Sequence, residues 1–385
     1  MTSKSRAFES IGEAREELVE ISHWMYHHPE VAYEEHESSA RLVKFLDAHG
    51  FDVEYPAYGL DTAFAARVGD EGPLVVICAE YDALPGVGHA CGHNIIATAA
   101  VGAGAALAPL ARDLGFRLMV LGTPAEEHYG GKVDLINAGA FDGVTAAMMV
   151  HPATDDVVDP KVIAVAHIDV HFHGKEAHAS AHPQLGVNAL DAFVQSYVNV
   201  STLRQALYPT DKIHGVIREG GHAPNIIPAY TRSSWYVRAA TKERLDILFP
   251  KVAACFEAAA AATGCRLEVE HVGHTYTEMV SDQTLVEYYA ANSAELGRPM
   301  ARGRDLPADQ TGSTDMGNVS LLVPAIHPML DIASAPHVNH QPEFAAHTIT
   351  ADGDQAIIDG AAAMAWTVID LAEQQAWDRL GNPAR

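Results

Sequence analysis

The stretch at 72–110, GPLVVICAEYDALPGVGHACGHNIIATAAVGAGAALAPL, decides how the fold is read. Its opening, GPLVVICAEYD, is a short apolar run rich in β-branched residues, as expected of a buried strand. From Asn94 onward small and apolar residues predict a long helix. The connecting turn carries Asp82, His89, Cys91 and His93. Three alternatives are open for it: a nucleophilic thiol at Cys91 with His89 or His93 as base, a metal site, or a polar turn of small residues.

The same alternation continues on both sides. AFESIGEAREELVEISHWMYH (7–27) and ESSARLVKFLDAHG (37–50) predict helices, and TAFAARVG (62–69) predicts a strand. FRLMVLGTPAEE (116–127) and TAAMMVHPA (145–153) predict two more buried strands. Strand and helix in turn imply an α/β fold, an open and mainly parallel sheet with helices on both faces. Ligands collect beyond the carboxyl ends of such strands, and there stand Asp82, the pair Glu126 and Glu127, and His151.

From residue 163 the texture changes. VIAVAHIDVHFHGKEAHAS alternates as a half-exposed strand does and NALDAFVQSYVNVSTLRQAL predicts a helix. IHGVIREGGHAPNIIPAYTRSSWYVRAA holds two strands about a glycine-rich turn, followed by the helix KERLDILFPKVAACFEAAAAATG and the strand CRLEVEHVG. This order predicts a ferredoxin-like α+β unit over 163–275, inserted into a first domain formed by 1–162 and 276–385. The late run LLVPAIHPMLDI predicts a further strand of the first domain.

Composition narrows the function. The chain has 385 residues, with 25 Lys and Arg against 50 Asp and Glu, a formal charge of −25 that repels phosphate backbones and anionic membranes. No nucleic-acid or membrane partner is expected, and no membrane span or apolar signal core is expected either. Four scattered cysteines fit a reducing, cytoplasmic setting. GVGHACGHN lacks the GxGxxG order and a P-loop lysine, so no phosphate cradle is expected.

Cys91 and His93 lie two apart across a glycine, so both can face one ion, but they cannot close a metal site alone. Glu127 and His151, at adjacent strand ends, are the natural further donors. The Glu126–Glu127 pair suits a division of labour, one carboxylate on the metal and its neighbour free to take a proton from water. The competing chemistry is a thiol amidase, with Cys91 attacking and the following helix N-terminus supplying an oxyanion hole.

Six segments, EYDALPGVGHACGHN, GTPAEEHYGGK, VHP, AHASAHPQLGVNALDA, PNIIPA and GSTDMGNVS, occur in the order of the metal-dependent aminoacylase and carboxypeptidase family. The chain resembles that family over nearly its whole length, and most closely its amidohydrolase branch of aminobenzoyl-glutamate hydrolases and β-alanyl-lysine type dipeptidases. The resemblance implies a catalytic domain holding two divalent ions (zinc, manganese or cobalt), and an inserted lid that also forms a homodimer. It implies Cys91 as the bridging ligand, with His93, Glu127, His151 and His340 as the others. It implies Glu126 as general base and Asp82 as the aspartate behind the ligands. Glu80 stands where many relatives have histidine, and Asn94 where many have aspartate. His340 is chosen over His337 from its NHQPEFA context. In the lid, His178 is similar to the histidine that stabilises the oxyanion in the partner subunit's site, and Asn225 and Arg238 to residues that hold the substrate. The expected reaction is hydrolysis of the amide bond of an N-acyl amino acid, aminobenzoyl-amino acid or dipeptide. A thiol amidase and a non-catalytic metal-binding homologue are the alternatives.

Overall fold

The computed structural model describes residues 1–307 and 311–381, and the chain divides into two compact units, Met1–Lys161 with Met279–Arg385, and Val162–Glu278. In the first, β1 (Asp52–Glu54), β2 (Ala65–Val68), β3 (Leu74–Ala79), β4 (Arg117–Gly122), β5 (Ala146–Met148) and β11 (Ala325–Ile326) form one sheet in the order β1-β2-β4-β3-β5-β11. β4, β3, β5 and β11 are parallel neighbours, whereas β2 is antiparallel to β4 and β1 to β2, so the sheet is mixed.

The link between β2 and β3 explains the reversed strand. A parallel connection needs about a dozen residues or more, and residues 69–73 are too few. They turn over the start of β4, where a Cβ on Gly72, at φ +96°, would stand 2.1 Å from the carbonyl oxygen of Gly115. Only glycine fits that approach.

Two expected strands are each interrupted. TAAMMVHPA becomes β5 and β6 (His151–Ala153), and LLVPAIHPMLDI becomes β11 and β12 (Met329–Asp331); β6 and β12 pair in a two-stranded parallel ribbon. Pro328, between β11 and β12, has no N–H to donate to the neighbouring strand, which suits the break where one run leaves β5 and the next pairs with β6. The break frees His151 from the main sheet, and its backbone N–H donates to the Pro328 carbonyl.

The helix His93–Leu107 is buried along its whole length and packs against the helices Ser3–His27 and Ala351–Glu373. Its glycines permit close packing on both sides: a Cβ on Gly102 would meet Leu18 of the helix Ser3–His27 at 2.9 Å, and one on Gly104 would meet Val120 of β4 at 2.5 Å. The segment His93–Leu114 and the helix Ala351–Glu373 are long and apolar enough to cross a membrane, against the expectation that no stretch would be. Both are mostly buried in this core, which accounts for their composition.

In the second unit β7 (Ala164–His173), β8 (Lys212–Glu219), β9 (Tyr230–Ala239) and β10 (Arg266–His271) form an antiparallel sheet in the order β10-β7-β9-β8. With the helices Ala189–Leu203 and Lys242–Thr263 this is the ferredoxin-like order read from the sequence. Alternation sends Ile168, Val170, Phe172, Trp235 and Val237 to the core with Leu248 and Phe256. Asp169 and Arg232, at the intervening positions, pair with each other instead.

Candidate metal centre

The parallel strands β3, β4 and β5 bring three groups of residues to one end of the sheet. After β3 come Glu80 and Asp82, after β4 Glu126 and Glu127, and after β5 His151. His93 opens the core helix, and Cys91 lies just before it. His340, distant in sequence, joins them at φ +71°, and its N–H donates to the carbonyl of Ala90.

Two donor sets share one atom. Cys91, His93 and His151 form the first and Cys91, Glu127 and His340 the second, with ligand atoms within 4.8 Å of one another in each. Cys91 Sγ lies 3.4 Å from His151 Nε2 and 3.5 Å from His340 Nε2, and His340 Nε2 lies 3.6 Å from a Glu127 oxygen. Donors on one tetrahedral ion, at about 2.3 Å for sulfur and 2.0–2.1 Å for nitrogen, stand about 3.5 Å apart. The residues therefore fit metal ions. His337 belongs to neither of these donor sets, and its ring lies 6.0 Å from that of His347.

Neighbouring groups orient these donors. Asp82 Oδ1 lies 3.0 Å from His93 Nδ1, and Asp82 Oδ2 accepts the Glu127 N–H at 3.0 Å. His151 Nδ1 lies 2.8 Å from the Pro152 carbonyl oxygen. With those protons on Nδ1, both histidines turn Nε2 lone pairs into the centre. His93 Nε2 and Glu127 Oε1 are buried without a hydrogen-bond partner, as atoms awaiting a cation would be.

Electrostatics point the same way. Glu80, Asp82, Glu126, Glu127 and Asp315 bring five carboxyl groups together with their side chains buried, and the buried ammonium of Lys132 pairs with two of them, Glu80 and Asp315. Burial, then Glu80, Glu127 and Asp315, push the Glu126 carboxyl well above its ordinary range. Burial, then Glu127, likewise push the Cys91 thiol up. Burial disfavours a charged His93, but Asp82 overcomes it and raises the imidazole. His151 is pushed down by burial and then by His327 and His93. Divalent charge is what such a set of acids lacks.

Several residues with no role read from the sequence brace this centre. Lys132 Nζ donates to Glu80 Oε1 at 2.5 Å and to Asp315 Oδ1 at 2.7 Å, all three fully buried. Glu35 accepts from the N–H of Ala125, which sits at φ +62° just before Glu126, and its other oxygen accepts from Thr62. Burial, then Asp82, push the Glu35 carboxyl up to about 8. GGK and GSTDMGNVS marked Lys132 and Asp315 as parts of motifs; nothing in YEEHE marked Glu35. Lys132→Met is expected to cost about 3–5 kcal/mol of stability, since Glu80 and Asp315 lose their shared cation. Thermal unfolding checks this, and an unchanged midpoint contradicts it.

In the second unit His178 and Asn225 stand together. The Ala179 N–H donates to the Asn225 carbonyl at 3.0 Å, and His178 bridges to Ile226. His178 Nδ1 accepts the N–H groups of Ser180 and Ala181 at 3.3 and 3.2 Å, which leaves its proton on Nε2 as a donor. Beside it a cleft of about 400 Å³ is lined by Ala179, Leu190, His222, Pro224 and Ile227 among others. Arg238 lies elsewhere, opposite Val165 and next to His214 at the far end of β9. Eight residue steps along the strand separate it from Tyr230, about 26 Å.

Mixed sheet, inserted unit and paired donor sets together define a metal-dependent hydrolase of amide bonds. The chain belongs to the family described as Peptidase family M20/M25/M40, which matches residues 76–365. It is 41% identical to the Xaa-Arg dipeptidase of Mus musculus and 39% identical to that of Homo sapiens, in each case over 96% of this chain and 88% of the relative. It is 29% identical to one subunit of the p-aminobenzoyl-glutamate hydrolase of Escherichia coli, over 66% of this chain and 57% of that one. A putative aminohydrolase of Staphylococcus aureus has the same fold, with TM-score 0.76 and 21% identity over 95% of this chain and 99% of that one. So does a dinuclear metal-binding peptidase of Bacillus subtilis, with TM-score 0.69 and 20% identity over 93% and 99%.

Proposed function

We propose that this protein is a dipeptidase or aminoacylase whose foremost substrates are dipeptides with a basic C-terminal residue. The observation that carries the metal-dependent reading is the pair of donor sets joined at Cys91 with Glu126 beside them. The substrate class rests on the 41% identity to a dipeptidase named for Xaa-Arg.

Cys91, His93 and His151 would hold one ion, and Cys91, Glu127 and His340 the other. A thiolate with imidazoles suits zinc or cobalt, with manganese the harder alternative. Bound divalent ions supply Lewis-acid polarisation of the carbonyl and lower the pKa of water. Glu126 takes the proton from the attacking water and returns it to the leaving amine. Asp82 keeps His93 in its donor orientation. His178 donates from Nε2 to the oxyanion. Asn225 and Arg238 hold the substrate's carboxylate and carbonyl.

The separation of Asn225 from Arg238 supports a homodimer, since one small substrate meets both only when they come from different copies. The helix Ala189–Leu203 exposes Val194, Tyr197 and Val198, and the edge strand β8 exposes Val216 and Ile217. These surfaces of the inserted unit, acting as lid and dimerisation domain, are where we place the contact. Four free cysteines suit a reducing cytoplasm.

The test is a panel of Xaa-Arg and Xaa-Lys dipeptides, β-alanyl dipeptides, N-acyl amino acids and aminobenzoyl-glutamate, assayed with metal analysis and sedimentation. The reading expects basic dipeptides to give the highest kcat/KM and a dimeric mass. Preference for an aminobenzoyl or simple N-acyl amino acid overturns the substrate class. Ligand binding with no turnover across the panel marks a non-catalytic homologue.

A further inference from the structure

A third donor set lies in the same centre, formed by Glu80, His93 and Glu126 with ligand atoms within 4.8 Å of one another and all three residues buried. It contains no sulfur. Glu80 Oε2 lies 3.5 Å from His93 Nε2, and Glu126 Oε2 lies 3.9 Å from it. Glu80 Oε2 and His93 Nε2 are both fully buried and without a hydrogen-bond partner.

Lys132 makes Glu80 directional. Its ammonium holds Oε1 at 2.5 Å and is itself held by Asp315, so Oε2 has one way to face. Asp82 holds His93 from the other side through Nδ1. An oxygen of Glu80 and the Nε2 of His93 then converge on one point, an arrangement that either a proton or a divalent ion relieves, and the divalent ion also answers the surplus of carboxylates around it.

We propose that Glu80, His93 and Glu126 form an alternative position for the ion that His93 holds, one selective for hard divalent cations such as Mn²⁺. Two carboxylates and an imidazole favour Mn²⁺, whereas the thiolate set of Cys91, His93 and His151 favours Zn²⁺ or Co²⁺. One imidazole nitrogen holds one ion, so the two positions compete. Glu126, once it ligates, no longer serves as base, and an ion in this position holds the centre inactive. The inference rests on the thiolate-centred reading of the site given above.

The experiment uses the full chain, freed of metal by dialysis and titrated with Mn²⁺ alone and Co²⁺ alone, in wild type, Glu80→Gln and Cys91→Ala. Glu80→Gln is expected to weaken one Mn²⁺ equivalent at least about tenfold while leaving Co²⁺ affinity and the thiolate-to-cobalt charge-transfer band unchanged. Cys91→Ala is expected to abolish that band and spare the same Mn²⁺ equivalent. Glu80→Asp, which keeps a charge for Lys132 but withdraws the ligand atom, repeats the Mn²⁺ loss should Glu80→Gln not fold. Unchanged Mn²⁺ affinity in a folded Glu80 variant, no Mn²⁺ binding in wild type, or loss of all Mn²⁺ in Cys91→Ala overturns the proposal. If Cys91→Ala leaves Co²⁺ binding and the band intact, the thiolate-centred reading fails, and the competition with it.

Discussion

Glu126→Gln is expected to lower kcat by about a hundredfold to ten-thousandfold, the usual loss when a positioned acid-base group is removed. The change is isosteric, and neither of the two thiolate-sharing donor sets includes Glu126. Metal stoichiometry should therefore stay at the wild-type value, and KM should move little. Burial, then the neighbouring acids, raise this carboxyl's proton affinity, and divalent charge beside it would draw it back to where it can take a proton and pass it on. Measured kcat near wild type with both ions bound would remove Glu126 from the reaction. Loss of metal together with activity would instead make it a ligand in the working enzyme.

Cys91→Ala carries the second large effect. It takes from each thiolate set the atom that both share, leaving two protein donors for each ion. Affinity for zinc or cobalt at both positions should fall by more than the roughly 10–100-fold that loss of a supporting partner costs, and turnover should fail with it. A chelator should abolish wild-type activity, and added zinc or cobalt should restore it. A thiol amidase predicts the opposite, activity that survives the chelator and is lost on alkylation. The thiol is poorly suited to that role: it is buried, and burial and Glu127 raise its pKa where a nucleophile needs it lowered.

Much of the centre was legible in the chain because apolar runs ending in acids or histidine mark strand ends. Asp82, Glu126, Glu127 and His151 each follow such a run, and a parallel sheet brings those ends together. The second unit was legible for a similar reason, since alternation along β7 and β9 separates core residues from exposed ones. Pairing partners were less so. The antiparallel β2 follows from a link too short for a crossover, a restriction of length that apolar periodicity does not carry. Pro152 and Pro328 were visible, but the division of two apolar runs between a sheet and a ribbon depends on how their ladders meet.

By itself the sequence determined the kinds of chemistry present, the order of strands and helices, and which side chains stand at strand ends. Local periodicity and turn residues act within a few positions, so those features needed no knowledge of distant contacts. Only the tertiary structure decided which donors lie close enough to share an ion, that His340 and not His337 meets Cys91, and that Glu35, Lys132 and Asp315 brace the carboxylates. It also set Arg238 at the far end of β9 from the loops of His178 and Asn225. These relations join residues far apart in the chain, and the packing of the helices on the sheet and the pairing of its strands set their distances, which sequence spacing does not.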